Sequence, residues 1–484
     1  MPMPGGYCTA PCGVTGSACA GVCVENPRAG ELCLAKCTTD AECRANEGYV
    51  CDPVAKACMM PNSGTIVPKA CPAMAGFGRN PAFAPSVALS TASSLGIYQF
   101  EPSAVVTDDG GLVALYVTRS RISDGNTLGL ARIDNAGRVS PDLQFATGKP
   151  SNFDPWLARD ARGKLYAVWL GFEGRGQNQE IGLATSSDRG LTWSKPIAVH
   201  DPADCSPGEA DCLDKPMVLV GADPQQRTRE IVYVGYAANG LRVRASRDGG
   251  ATFGSPVTAL EGIYGNWVAG KDGTLHVVTL NGGPPGGFGS ADHEVEYTAS
   301  SNGGATFAKP IRVSGRDETL PFFFSNPSIA FDDRRGWLYV AYARGGRDAK
   351  WDLVIAASKD RGKKWKRTRI GDDPACSIHM VPNLALDPTT GSLHVAWYDH
   401  RGERPRFAHA VCTPGATKCA HQGRIDDQPF AALSTVRHAA KWIGEYQKLV
   451  VDDKRRSLHA VWTQTVDEGG KVISRVFHAK AKLR

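Results

Sequence analysis

The 484-residue chain has no run of about 18 consecutive apolar residues, so no segment reads as a membrane-spanning helix. Its opening, MPMPGGYC, lacks both a charged n-region and an apolar h-region, so no secretory signal is expected within it. Long basic runs are missing as well. The net charge of +6 is spread thinly, which argues against a nucleic-acid partner while still favouring anionic ligands over cationic ones. No Ser-His-Asp order, metal-ligating signature or phosphate-cradling glycine loop stands out, and RDGG and GGPPGG read as turns. What remains is an ordinary globular composition, 42% hydrophobic and 21% charged.

Cysteine is abundant but oddly placed. Nine of the 15 cysteines lie between Cys8 and Cys58, in a stretch with too few large apolar residues to build its own core. The close pairs CTAPC, CAGVC and CLAKC all have C-x3-C spacing, with no C-x2-C pair and no histidine nearby, so disulfides are expected and zinc is not. This usage points to an oxidising, extracellular or cell-surface setting. Residues 1–60 therefore read as a cysteine-rich, disulfide-stapled domain, and the Pro/Gly/Ala-rich residues 61–82 as a linker. Farther on, Cys205 with Cys212 and Cys412 with Cys419 are spaced for local disulfides that brace loops.

From residue 83 onward one phrase recurs. A polar turn (TDDGG 107–111, RDARG 159–163, ADPQQR 222–227, KDG 271–273, DDRRG 332–336, DPTTG 387–391, DDKRR 452–456) precedes a β-rich run such as LVALY, LYAVW or LHVAW. Turns of this kind between β-branched and aromatic runs are hairpin signals, and seven at regular spacing predict a seven-bladed propeller of four-stranded antiparallel blades over 83–484. The last repeat stops after its third strand. The segment FAPSVALS (83–90) resembles the fourth strand FAKPIRVS (307–314), so it is expected to complete the seventh blade. His276, His394 and His459 stand where other repeats carry Tyr166, Tyr233 and Tyr339, and read as packing residues.

A second phrase falls between third and fourth strands: SSDRGLTW (186–193), SRDGGATF (246–253), SSNGGATF (300–307) and SKDRGKKW (358–365). It resembles the Asp-box, or BNR repeat, of the sialidase superfamily. In that family the box is structural and lies on the face opposite the ligand site. The superfamily's sialidases have six blades, against seven counted here, and their arginine-bearing F/Y-R-I-P signature has no match beyond SRIS (120–123) in a loop.

Candidate chemistry gathers at the starts of the first strands, on the face away from the boxes. Glu101, Asp154, Asp214 with Lys215, Asn266, Asn326, Asn383 and Glu445 with Tyr446 would ring the channel mouth. Such a ring suits sugar hydroxyls, a cation in the channel, or a carboxyl tuned for acid catalysis. Loops on the same face carry Arg119, Arg121, Arg175, Arg344, Arg347, Arg401 and Arg404, with His400 beside Arg401. Because sialidases hold a ligand carboxylate with three arginines, the resemblance implies anion recognition here. Two readings follow. One is a propeller binding a glycan or an extracellular protein through Glu101, Arg119, Arg344, His400, Arg401 and Tyr446. The other is a sialidase-type exo-glycosidase using Asp154 and Glu445. Adjacent Glu445 and Tyr446 are expected on opposite faces of a strand, which argues against their pairing as a nucleophile. No metal or other cofactor is required by either reading.

Overall fold

The structure, a computed structural model, describes residues 10–11, 21–26, 30–43, 50–52, 56–59, 78–90, 96, 98–119, 125–174, 176–206, 209, 212–262, 264–281, 293–320, 326–345, 351–370, 378–400, 405–416, 418–431, 443–469 and 471–483. Seven four-stranded antiparallel sheets form the blades of a propeller. Their first strands, in blade order, are Tyr98–Val106, Ser151–Arg159, Asp214–Ala222, Tyr264–Ala269, Ser328–Asp332, Ile378–Leu386 and Lys448–Asp452.

Both faces of a blade pack on a neighbour, so the second strands are apolar along their length rather than on alternate positions. Leu112–Arg119 is buried throughout. Successive side chains feed the two flanking cores. Val113, Leu115 and Val117 pack with Leu165 and Trp169 of blade 2, while Leu112, Ala114 and Tyr116 pack with Val461 and Val476 of blade 7. Contact between the first and last blades closes the ring.

The seventh blade takes its fourth strand from before the first. Val87–Ala88 pairs with Lys471–Lys482 through Phe477↔Ala88 and His478↔Val87, as the repeat count requires. The preceding residues are pinned to blade 6. Asn80 receives a hydrogen bond at its backbone carbonyl from Phe83, donates from its own N–H to Arg424 O at 2.9 Å, and its side chain meets His409. Asp427 accepts from Ser86 N at 2.5 Å and from Ser86 Oγ at 2.7 Å, and also pairs with Arg79.

The four box turns share one geometry. In each, the Ser186, Ser246, Ser300 or Ser358 hydroxyl accepts the N–H of the glycine four residues on, at 2.8–3.0 Å. The acid or amide two residues after that serine then holds the closing turn, as Asp188 does by accepting Thr192 N at 2.9 Å. Gly362, at φ +89°, lies so close to the Tyr297 ring of the preceding blade that a Cβ would sit 2.1 Å from it. The box is thus a wedge between blades, and φ > 0 with no side chain is what the wedge needs. Trp193 is only half-buried and meets the edge of Phe145 in blade 1, ring centroids 5.1 Å apart. Trp193→Ala should therefore cost about 2–3 kcal/mol, below the 3–5 kcal/mol typical of a fully buried ring. Chemical denaturation checks this, and binding at the far face should not change.

The three histidines pack as expected. His276 meets Tyr297 Oη at 2.7 Å, His394 meets His409 at 3.2 Å and His459 meets His478 at 3.0 Å. Burial pushes each imidazole of the first-named three down to about 4. Disulfides join Cys205 to Cys212 and Cys412 to Cys419. Near the N-terminus lie a three-stranded and a two-stranded sheet, and the bonds Cys37–Cys51 and Cys43–Cys58 attach to the strands of the two-stranded one, Val50–Asp52 and Ala57–Met59. Among the described residues, the one group of potential metal ligands close enough to share an ion is Cys37, Cys43 and Cys51, all of them in these disulfides. No described helix is long and apolar enough to cross a membrane.

Candidate functional site

Four first strands break register near their starts: between Phe100 and Ser103, Phe153 and Trp156, Asp214 and Met217, and Met380 and Asn383. In each break a residue with positive φ precedes a proline: Glu101 (55°), Asp154 (52°), Lys215 (49°) and Val381 (52°). Proline cannot supply the ladder hydrogen bond, so the strand bulges there, and a bulge re-aims a side chain. A non-glycine residue in this region costs roughly 1–3 kcal/mol. Strain is therefore concentrated at the channel mouth.

Two of those bulges, with Glu445 of the seventh blade, meet at one ammonium. Lys215 Nζ lies 3.0 Å from Asp154 Oδ1 and 2.7 Å from Glu445 Oε2, with Asp214 at 3.9 Å. The Tyr446 hydroxyl donates to Asp154 Oδ1 at 2.7 Å, and the Tyr264 hydroxyl reaches Glu445 Oε1 at 3.4 Å. The rings of Tyr264 and Tyr446 flank the ammonium, with centroids at 5.3 and 5.2 Å. Asn326 donates from its side chain to the Glu445 carbonyl at 3.2 Å. The opening is lined also by Trp156, Asn266 and Asn383.

Burial, the largest influence, works against the Lys215 charge, but Asp154 and Glu445 outweigh it and hold its pKa well above the ordinary lysine value. Glu445 is raised by burial, against the pull of Lys215. Glu101 is raised much further, first by burial and then by the negative charge of Asp154. Its Oε2 has no hydrogen-bond partner among the described residues, and Gly444 packs directly on its side chain. The site thus combines an ion-paired layer with one carboxyl beside it whose protonated form burial favours.

Glu101, Asp154, Glu445 and Tyr446 come together as a set. Glu445 and Tyr446 do so despite their adjacency, because they precede the strand Lys448–Asp452 and its two-sided alternation does not apply to them. The position between the carboxylates that a channel cation would take holds Lys215 Nζ. The Arg119 guanidinium lies 5.0 Å from the Phe100 ring centroid, and Arg344 is 3.6 Å from both Glu318 and Asp352. His400 ends the strand Leu393–His400, and its side chain lies outside the described residues, as do Arg401, Arg121, Arg175, Arg347 and Arg404. The role of Lys215 as the hub was not read from the sequence, although the recurring X-Pro at strand starts carried the signal.

No family model matches the chain, and no curated protein does. Solved structures do. A protein of unknown function from Dyadobacter fermentans is 12% identical, with a TM-score of 0.49, covering 84% of this chain and all of its own. A sialidase from Streptococcus pneumoniae is 10% identical, with a TM-score of 0.48, covering 67% of this chain and 68% of its own. An α-L-arabinofuranosidase from Fusarium graminearum is 13% identical, with a TM-score of 0.44, covering 83% of this chain and 98% of its own. Identities this low leave the chemistry to be read from this chain's own residues.

Proposed function

We propose that this chain is an extracellular or surface-displayed propeller of Asp-box type that binds a glycan at the mouth of its central channel. The observation that carries the reading is the Lys215 ammonium, flanked by the Tyr264 and Tyr446 rings and ringed by Asp154, Glu445 and Asn326. Aromatic faces suit the C–H faces of a sugar, while carboxylates, amides and an ammonium suit its hydroxyls. The centre itself is balanced toward hydroxyls, since one ammonium already answers two carboxylates. Recognition of an anionic group is assigned, on the sequence pattern, to Arg119, Arg344 and Arg401, with His400 next to Arg401 in the chain. There Arg→Ala should weaken retention of an acidic glycan, and Arg→Lys should not restore it, because the planar fork is lost.

A second reading rests on Glu101. A carboxyl whose pKa burial raises well above the ordinary carboxylate range, beside two carboxylates paired to Lys215, is the kind of arrangement acid–base chemistry uses, which favours glycoside hydrolysis as the alternative. Asp154 and Glu445 both contact the same Nζ, so their contacting oxygens are at most about 6 Å apart, closer than the roughly 6.5–9.5 Å of inverting glycosidases.

One experiment separates the two: an immobilised glycan panel scored for retention and for cleavage products, with wild type, Asp154→Asn and Glu445→Gln. The binding reading expects retention without products, weakened at most roughly 10- to 150-fold by either change, the effect of losing a hydrogen bond to a charged group. Products that vanish in both variants would instead establish hydrolysis through these carboxylates. Retention of no glycan by folded wild type would overturn both.

A further inference from the structure

Beneath the acid–lysine layer the channel opens into a cavity of about 260 Å³, room for several waters. Its polar lining comes from Arg159, Asn266, Ser328, Asn383 and Lys448, beside the Trp156 ring, and among the described residues no carboxylate lines it. This is the reverse of the mouth, where carboxylates outnumber the cation.

The polar side chains here present donors, for a structural reason. Asn266 Oδ1 accepts Trp267 N at 2.8 Å, Asn383 Oδ1 accepts Leu449 N at 2.9 Å, and Ser328 Oγ accepts Leu384 N at 3.0 Å. These bonds, two of which stitch one blade to the next, engage the oxygens. Each oxygen thereby commits a lone pair to the backbone, while the amide NH2 group or the hydroxyl proton is left to donate into the cavity. Lys448 adds an ammonium 3.7 Å from the Trp156 ring centroid. Burial alone pushes its amine down to about 7, with no carboxylate acting against it. Arg159, the last residue of its strand, stands toward the end of the channel away from Lys215.

We propose that this cavity is a binding site for a small tetrahedral oxyanion, sulfate or inorganic phosphate, held by Lys448, Asn266 and Asn383, with Arg159 supplying the second positive charge. The mouth is acidic around the Lys215 ammonium; one layer down, the lining has the opposite sign. Binding would couple to protonation of Lys448, whose charged neighbours are Arg159 along the channel and Lys215 and Glu445 in the layer above. The anion favours the charged amine, so affinity should fall as pH rises past neutrality.

The test uses the full chain in Tris–chloride at fixed ionic strength, titrated with sodium sulfate in a calorimeter. Saturable binding at one site is expected, distinct from the general salting effect of sulfate, which does not saturate. Affinity should drop at least tenfold between pH 6.5 and 8.5 and be lost in Lys448→Met. Because that variant could fail to fold, a second measurement uses wild type alone. Acetic anhydride labelling of Lys448, read by mass spectrometry, should slow at least fivefold with saturating sulfate. No saturable heat, or labelling of Lys448 indifferent to sulfate, would overturn the proposal, as would undiminished binding by folded Lys448→Met.

Discussion

Replacing Lys215 with methionine is expected to lower stability at neutral pH by about 3–5 kcal/mol, the usual cost of removing one partner from a buried ion pair. Methionine fills much of the lysine stem's volume, so the loss reports the charge. Asp154 and Glu445 keep side chains only 4% and 14% exposed and would be left without their cation. The pH dependence follows from linkage. Without the ammonium, the folded-state carboxyl pKa values rise above their unfolded values. The variant's deficit is then largest above those raised values and shrinks as the pH falls through them, because a protonated carboxyl needs no counter-charge. Glu101 and Glu445 already sit above the ordinary range in the wild type, so the loss adds to an existing strain. Denaturant titrations of both proteins at pH 7 and pH 4.5 check this. A deficit equal at both pH values would show that Lys215 acts by packing and not by charge.

The second large effect lies at the ring closure. A chain beginning at residue 91 should fail to fold, whereas one beginning at residue 76 should unfold at the full chain's temperature. Residues 78–90 hold Phe83 and Leu89 in the cores flanking blade 7, complete its sheet through Val87–Ala88, and engage Asp427 and Arg424 of the blade 6 side. Removing two buried large side chains costs several kcal/mol, comparable with the 5–15 kcal/mol total stability of a typical domain. It also exposes the edge of Lys471–Lys482 to pairing with other chains. Thermal unfolding and gel filtration of the two truncations decide the matter. A folded, monomeric chain starting at 91 would contradict the closure account.

The architecture was legible in the sequence because its repeats are local. Hairpin turns such as Thr107–Gly111 and boxes such as Ser186–Trp193 are set within a few residues, and their recurrence counts blades directly. The seventh blade was legible because Phe83–Ser90 copies a fourth strand whose own repeat is present elsewhere. The site was legible only in part. Reading strand starts identified Glu101, Asp154, Glu445 and Tyr446 as neighbours of the mouth, but not what joins them. Lys215 lies 61 residues from Asp154 and 230 from Glu445 in the chain, so their meeting depends on the ring itself. The bulges before Pro102, Pro155, Pro216 and Pro382 turn side chains inward in a way that simple alternation does not anticipate. Adjacent Glu445 and Tyr446 converge for a related reason: they lie ahead of the strand, where no alternation operates. The split of donors and acceptors within the channel was likewise hidden, because it depends on which backbone N–H each asparagine meets, Trp267 of its own strand for Asn266 and Leu449 of the next blade for Asn383.

The most direct test of the account is a crystal structure of the full chain soaked with an oligosaccharide that the panel shows to be retained. The sugar is predicted at the channel mouth, one ring against Tyr446 or Tyr264, with hydroxyls within hydrogen-bond reach of Lys215, Glu445 and Asn326. Ordered sugar on the opposite face among the box turns, or on the blade edges with the mouth free of it, would contradict the assignment of this site.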